Sequence, residues 1–153
     1  MIINLQPDQV PLFWDLIKHS LIHARGIPKP YQQDYALVAL EHSLLGDYQC
    51  WLSFDLDKDD NKILHCILVT SIINERIYGR RVLYVEALYG FRLISMEMME
   101  DIYDGLKKFG LANDCVALVA DYTNKRSKEF LMHLGFEEHS TTCRKFFEEA
   151  NHE

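Results

Sequence analysis

The stretch Cys115-Val-Ala-Leu-Val-Ala120-Asp-Tyr-Thr-Asn124-Lys-Arg-Ser127-Lys-Glu-Phe130-Leu131-Met-His-Leu134-Gly135-Phe136 decides the fold. Residues 115–120 are apolar and short, the signature of a buried strand. Thr123 or Asn124 then caps a helix, because a side-chain oxygen there accepts from the open N–H groups of the first turn. The helix stops at Leu134-Gly135, glycine being favoured just past a helix end.

Upstream, Met96, Met99, Tyr103 and Leu106 recur at helical spacing, so residues 95–109 form a helix with Lys107-Lys108 near its C-terminal end, where cations suit the dipole. Methionines at that spacing are adaptable core. Ahead of it, residues 82–88 make an apolar strand, 74–80 a turn carrying Gly79, and 62–73 a β-branched strand. Tyr48, Cys50, Leu52 and Phe54 alternate with Gln49, Trp51 and Ser53, a period-two strand that pairs with 62–73 as a hairpin. Val10, Phe13, Trp14, Ile17 and Leu21 mark a first helix over 7–24. It is broken by Arg25-Gly26-Ile-Pro28-Lys-Pro30, after which 31–45 form a second helix ended by Gly46. Residues 141–147 close the sheet and 148–153 form an acidic mobile tail. Hairpins followed by a strand–helix–strand crossover imply one α/β domain over 1–147, a mixed sheet covered by helices.

The chain has 153 residues, 48% of them apolar, which excludes disorder. Lys and Arg number 16 against 23 Asp and Glu, a net charge of −7, which argues against general affinity for nucleic acid. No window approaches the ~20 apolar residues of a membrane span, and no basic leader precedes an apolar run. A cytoplasmic setting is expected. Cys50, Cys66, Cys115 and Cys143 lie in or beside apolar runs without any paired spacing, so four buried free thiols are expected and no structural metal. His19 and His23 share a helical face but lack a third ligand, and Asp55-Leu-Asp57-Lys-Asp59-Asp60-Asn61 lacks the turn glycine and final carboxylate of a calcium loop.

The element order, with Asn124, Gly135 and Phe136 in place and Ser127 and Phe130 as near substitutes, resembles the GNAT superfamily of acyl-CoA-dependent N-acyltransferases. It is also similar to the short GNAT-like proteins of phage genomes, which would make it virion-associated. The resemblance implies a mostly antiparallel sheet with a parallel splayed pair, about four helices, and acetyl-CoA as cofactor. It implies a pyrophosphate cradle at the start of the third helix, where Arg92-Leu-Ile-Ser95-Met-Glu97 stands in for a loop with two small residues. Glu97 would set a like charge against the phosphates at a cost of about 1–4 kcal/mol. Leu88, Gly90, Arg92, Ser95 and Asn124 are the cofactor-binding candidates, although Asn124 is first of all a helix cap.

For chemistry, the resemblance points to a base on the strand of residues 82–88. Glu86 is the residue there, on the face of Val82, Tyr84 and Leu88 by simple alternation, with a strand-end pairing to Arg80 or Arg81 as the other account of it. The family's acid is a tyrosine at the position of Leu131, which has no proton to give. Tyr122, Tyr89 and Cys143 are the substitutes, and Tyr122 is carried forward. Two functions follow: transfer of an acetyl group to an amine acceptor, or a non-catalytic GNAT-fold module that binds a protein partner, with Trp51 and Tyr89 as surface candidates. An edge strand near the C-terminus would suit a homodimer.

Overall fold

The computed structural model describes residues 1–76, 79–140, 143 and 145. Five strands form one sheet in the order β1-β2-β3-β4-β5: Ile2–Asn4, Tyr48–Leu56, Lys62–Glu75, Arg80–Gly90 and Ala117–Ala120. The first four pair antiparallel and β4 pairs parallel with β5. The helices are α1 Trp14–Arg25, α2 Gln32–Leu45, α3 Met96–Ala112 and α4 Lys125–His133. The expected strand at 141–147 and the tail at 148–153 fall outside the described residues, Cys143 and Lys145 apart.

Both faces of the sheet are covered, which is why β2 and β3 bury continuous runs. One core joins Ile17 and Leu21 of α1 and Ala39 of α2 to Cys50, Leu52, Ile67, Val69 and Ala87. The other joins Met99, Ile102 and Leu106 of α3 to Trp51, Cys66, Leu68 and Leu83. Trp51 is therefore no surface candidate: it is 5% exposed, and its indole Nε1 donates to Thr70 Oγ1 over 2.9 Å.

Several sequence boundaries move for local reasons. Residues 7–13 form a 3-10 turn, since Pro11 interrupts the ladder an α-helix needs, and α1 begins at Trp14. At the other end Gly26 takes φ 59°, the left-handed conformation that stops α1 at Arg25. The β1 strand escaped the sequence reading because three residues carry too little periodicity. Of the cysteines, Cys50, Cys66 and Cys115 are buried as expected, whereas Cys143 is exposed. Burial pushes the Cys66 thiol up to about 11. The acidic loop is a turn closed on Asp57, whose Oδ1 accepts from the backbone N–H groups of Asp59 and Asn61 at 2.8 and 2.9 Å.

Candidate active site

Two irregularities build the site, and both lie on β4. In the β3–β4 ladder Val69 pairs with Ala87 while Thr70 pairs with Val85, so Glu86 is an extra residue with no partner, a β-bulge. In the β4–β5 ladder the last pair is Val85 with Ala120, although β4 runs on to Gly90. The strands part there, and Glu86 and Asp121 are the first residue of each past the last rung. Alternate N–H groups of β4 beyond this point face the side that β5 has left.

The bulge also corrects the reading by simple alternation. Tyr84 and Glu86 face α1, but the extra residue flips the parity. Leu88 falls on the α3 side, against the core of Leu83 and Met99. Leu88 thus forms an apolar wall of the parting and shares no face with the carboxylate. Ile94, Met96 and Phe130 pack against the same core.

On the α1 side a polar cluster surrounds Glu86. Ser71 Oγ donates to Glu86 Oε1 over 2.7 Å, and this bond stands in place of the Arg80 or Arg81 pairing considered from sequence. Arg25 Nη1 donates to the Tyr84 hydroxyl (3.1 Å) and to the Glu86 carbonyl (3.3 Å), and lies 3.8 Å from Asp121 Oδ2. The Tyr84 hydroxyl in turn donates to Asp121. Burial works against the Arg25 charge, yet the Tyr84 bond and the facing groups hold its pKa above the ordinary value. Burial raises the phenols of Tyr35 and Tyr84, the latter helped by its bond to Asp121. Burial and then the charge of Glu86 push Tyr48 up to about 12. All three tyrosines are consequently neutral donors near neutral pH.

On the opposite side the parting meets α3 and α4. Ser95 caps α3, its Oγ accepting from Met98 N–H over 3.2 Å, so that donor is already used. The N–H groups of Met96 and Glu97 have no acceptor within the helix. A Cβ at Gly90 would come within 3.1 Å of the Arg92 carbonyl oxygen and of Ile94 Cδ1, so a side chain here would press on the tight passage from strand to helix. Arg92 and Glu97 are exposed at its rim. Asn124 caps α4, its Oδ1 accepting from Ser127 N–H over 2.9 Å, the role that sequence put first. The Tyr122 hydroxyl donates to Glu138, whose carboxylate also meets Lys128 Nζ at 3.5 Å. The bond to Glu138 raises the Tyr122 phenol, and the bond to Tyr122 lowers the Glu138 carboxyl. An open groove of about 310 Å³ runs between α3 and α4 past Met96, Arg126, Phe130 and His133.

The structure brings Glu86 beside the parting and places Leu88, Gly90, Arg92 and Ser95 along the path from it to α3. Tyr122 and Asn124 sit on the α4 side. Sequence reasoning missed Arg25, Ser71, Tyr84 and Asp121. Arg25 had read only as a helix end, and the other three depend on register. No group of three metal-ligating side chains is present among the described residues, and no helix among them is long and apolar enough to cross a membrane.

Against solved structures, the chain superposes over 96% of its length on a putative acetyl transferase from Pyrococcus furiosus, with a TM-score of 0.71, 10% identity and 99% of that chain covered. The fold is that of the GNAT acyltransferases. The aminoglycoside N-acetyltransferase AAC(6')-Iy, in complex with a CoA-based bisubstrate analogue, matches the same 96% at TM-score 0.67 and 18% identity, with 98% of that chain covered. A ribosomal-protein-alanine N-acetyltransferase from Brucella melitensis biovar Abortus 2308 follows at 0.65 and 15%, with 99% covered. No protein-family model and no curated protein matches the chain. Identities this low carry the GNAT fold and leave the chemistry to be argued from the site.

Proposed function

We propose that the chain is an acetyl-CoA-dependent N-acyltransferase acting on an amine. The observation that carries this is the coincidence of the Glu86 bulge with the last rung of the β4–β5 ladder. It sets a carboxylate, vacant strand N–H groups and an open helix N-terminus around one gap. Acetyl-CoA supplies an activated thioester. The Met96 and Glu97 N–H groups, at the positive end of the α3 dipole, suit its pyrophosphate, with Arg92 and Asn124 at the flanks. Leu88, Ile94 and Phe130 give the apolar walls a pantetheine arm requires.

Glu86 takes the proton from the attacking amine, while Ser71 orients the carboxylate. The β4 N–H groups left without a neighbour past Val85 stabilise the oxyanion. Tyr122 protonates the departing thiolate; its phenol, raised by Glu138, holds its proton at neutral pH. Acetyl-CoA at a hundred times its dissociation constant should add about 2.7 kcal/mol of stability, a shift of several degrees in Tm. Release of free CoA thiol with a panel of amines then reads turnover.

A second reading, a GNAT-fold module that binds a protein partner or pairs with itself without catalysis, is favoured by Leu131, which offers no proton where the family carries a tyrosine, and by Glu97 at the phosphate end. No thermal shift at millimolar acetyl-CoA, together with a stoichiometric partner or dimer on sizing, selects it. The setting, cytoplasmic or within a virion, follows from whichever partner is found.

A further inference from the structure

The groove between α3 and α4 holds about 310 Å³, at the lower end of the roughly 300–1,000 Å³ of small-molecule sites. Met96, the first residue of α3, lines one side. Arg126, Phe130 and His133 line the other, at i, i+4 and i+7 on one face of α4 and spread over about 10 Å of helix. Met96 and Phe130 both pack against the α3-side core, so the walls between the two polar ends are apolar. The charge of α4 runs against what the helix itself favours. Lys125, Arg126 and Lys128 crowd its first turn without an acidic residue, at the positive end of the dipole, in a chain of net charge −7. Two of these cations are already paired: Lys125 Nζ lies 3.9 Å from Glu129 and Lys128 Nζ 3.5 Å from Glu138. Arg126 has no carboxylate partner among the described residues. Its guanidinium lies over the Phe130 ring, 5.6 Å from the centroid, which holds the fork at the groove.

We propose that Arg126 binds a phosphomonoester and that the groove takes the nucleoside attached to it, which in acetyl-CoA is the 3'-phosphoadenosine end. The link to acetyl-CoA rests on the acyltransferase reading; the phosphate site does not. The planar guanidinium offers paired donors that match two phosphate oxygens. Met96 and Phe130 give the base an apolar surface, and the His133 imidazole offers an N–H in either protonation state at the other end. Glu129 lines the same groove and its charge opposes a phosphate dianion, so it limits how tightly one is held. Phosphate recognition is then divided between two helices, the pyrophosphate at the Met96 and Glu97 N–H groups and the monoester at Arg126.

The test titrates adenosine 3'-monophosphate and adenosine, which differ only in the monoester, against the full chain at low salt. The wild type is compared with Arg126→Gln, Arg126→Lys and Glu129→Gln. Thiol release is followed separately with acetyl-CoA and with acetyl-3'-dephospho-CoA. A charge-assisted contact to phosphate is worth about tenfold in affinity or more, so the wild type should prefer the monophosphate by that factor. Arg126→Gln should bring the ratio close to one, Arg126→Lys should fall between, and Glu129→Gln should raise the ratio. A purely structural role of Arg126 over Phe130 would weaken both ligands alike and leave the ratio unchanged. A ratio near one in the wild type, an equal ratio in Arg126→Gln, or no binding of either ligand overturns the proposal. If the ratio collapses as expected while no amine releases thiol, the phosphate site stands and the acyltransferase reading falls. Turnover with equal KM for acetyl-CoA and its dephospho analogue does the reverse.

Discussion

Ser71 and Glu86 are joined across two strands: the buried Ser71 hydroxyl of β3 donates to the bulged carboxylate of β4 over 2.7 Å. The bulge makes this contact. Ser71 pairs in the ladder with Tyr84, and only an unpaired residue on β4 lets a glutamate two positions on lean back to it. Glu86→Gln should lower kcat about 10²–10⁴-fold with little change in the acetyl-CoA thermal shift, because a base acts in the chemical step and not in cofactor binding. Ser71→Ala should lower kcat by about tenfold and cost about 1–3 kcal/mol in denaturant unfolding, since it leaves a half-buried carboxylate without its donor. Equal kcat in wild type and Glu86→Gln would remove Glu86 from the mechanism.

The start of α3 offers a charge test. Glu97 lies exposed in its first turn, where it favours the helix and opposes a bound phosphate. Glu97→Gln should tighten acetyl-CoA by about tenfold, read as a larger thermal shift, while costing the free protein about 0.3–1 kcal/mol. A smaller shift would place the phosphates elsewhere.

Ser95→Ala should destabilise by about 0.5–2 kcal/mol, because Met98 N–H loses its cap; Ser95→Gly should cost less. Urea unfolding with an unchanged m-value checks both.

The thiols should separate cleanly. Cys143 is exposed and should react with a disulfide reagent within seconds to minutes at pH 8. Cys50, Cys66 and Cys115 are buried with raised pKa values and should react only on unfolding. Two or more thiols titrating in the folded protein would contradict the packing of both cores.

Alkaline pH tests the tyrosine cluster. The Tyr48 phenol, at about 12 in the folded chain against 10.0 ordinarily, binds its proton more tightly when folded. Its contribution to stability is therefore intact below pH 10 and is lost as the pH climbs towards 12. With partial solvent screening this is worth about 1–2 kcal/mol. Tyr48→Phe should flatten that limb in unfolding experiments, and the tyrosinate absorbance of the wild type should rise late.

How much the chain declared beforehand depends on how local the cause is. The helices at 31–45 and 95–109, the 48–54 and 62–73 hairpin and the cap at Asn124 were legible because periodicity, proline and capping act within a few residues. The catalytic candidate Glu86 was legible as a charge in an apolar strand on the face of Tyr84, but the facing of Leu88 was not. One extra residue in a ladder reverses every side chain after it, and nothing in Val82-Leu-Tyr-Val-Glu86-Ala-Leu announces the slip.

Composition and short-range sterics made the α/β class, the order of the four helices and of β2 to β5, the excess of acidic residues and the stops at Gly26 and Gly46 readable in the sequence. Only the tertiary structure decided that β4 and β5 part after Val85 and Ala120, that Ser71 meets Glu86, and that Arg25 reaches Tyr84 and Asp121 from the end of α1. Those contacts join residues 15 to 96 positions apart. They exist because two cores on opposite faces of the sheet fix the strand register and the helix ends at once.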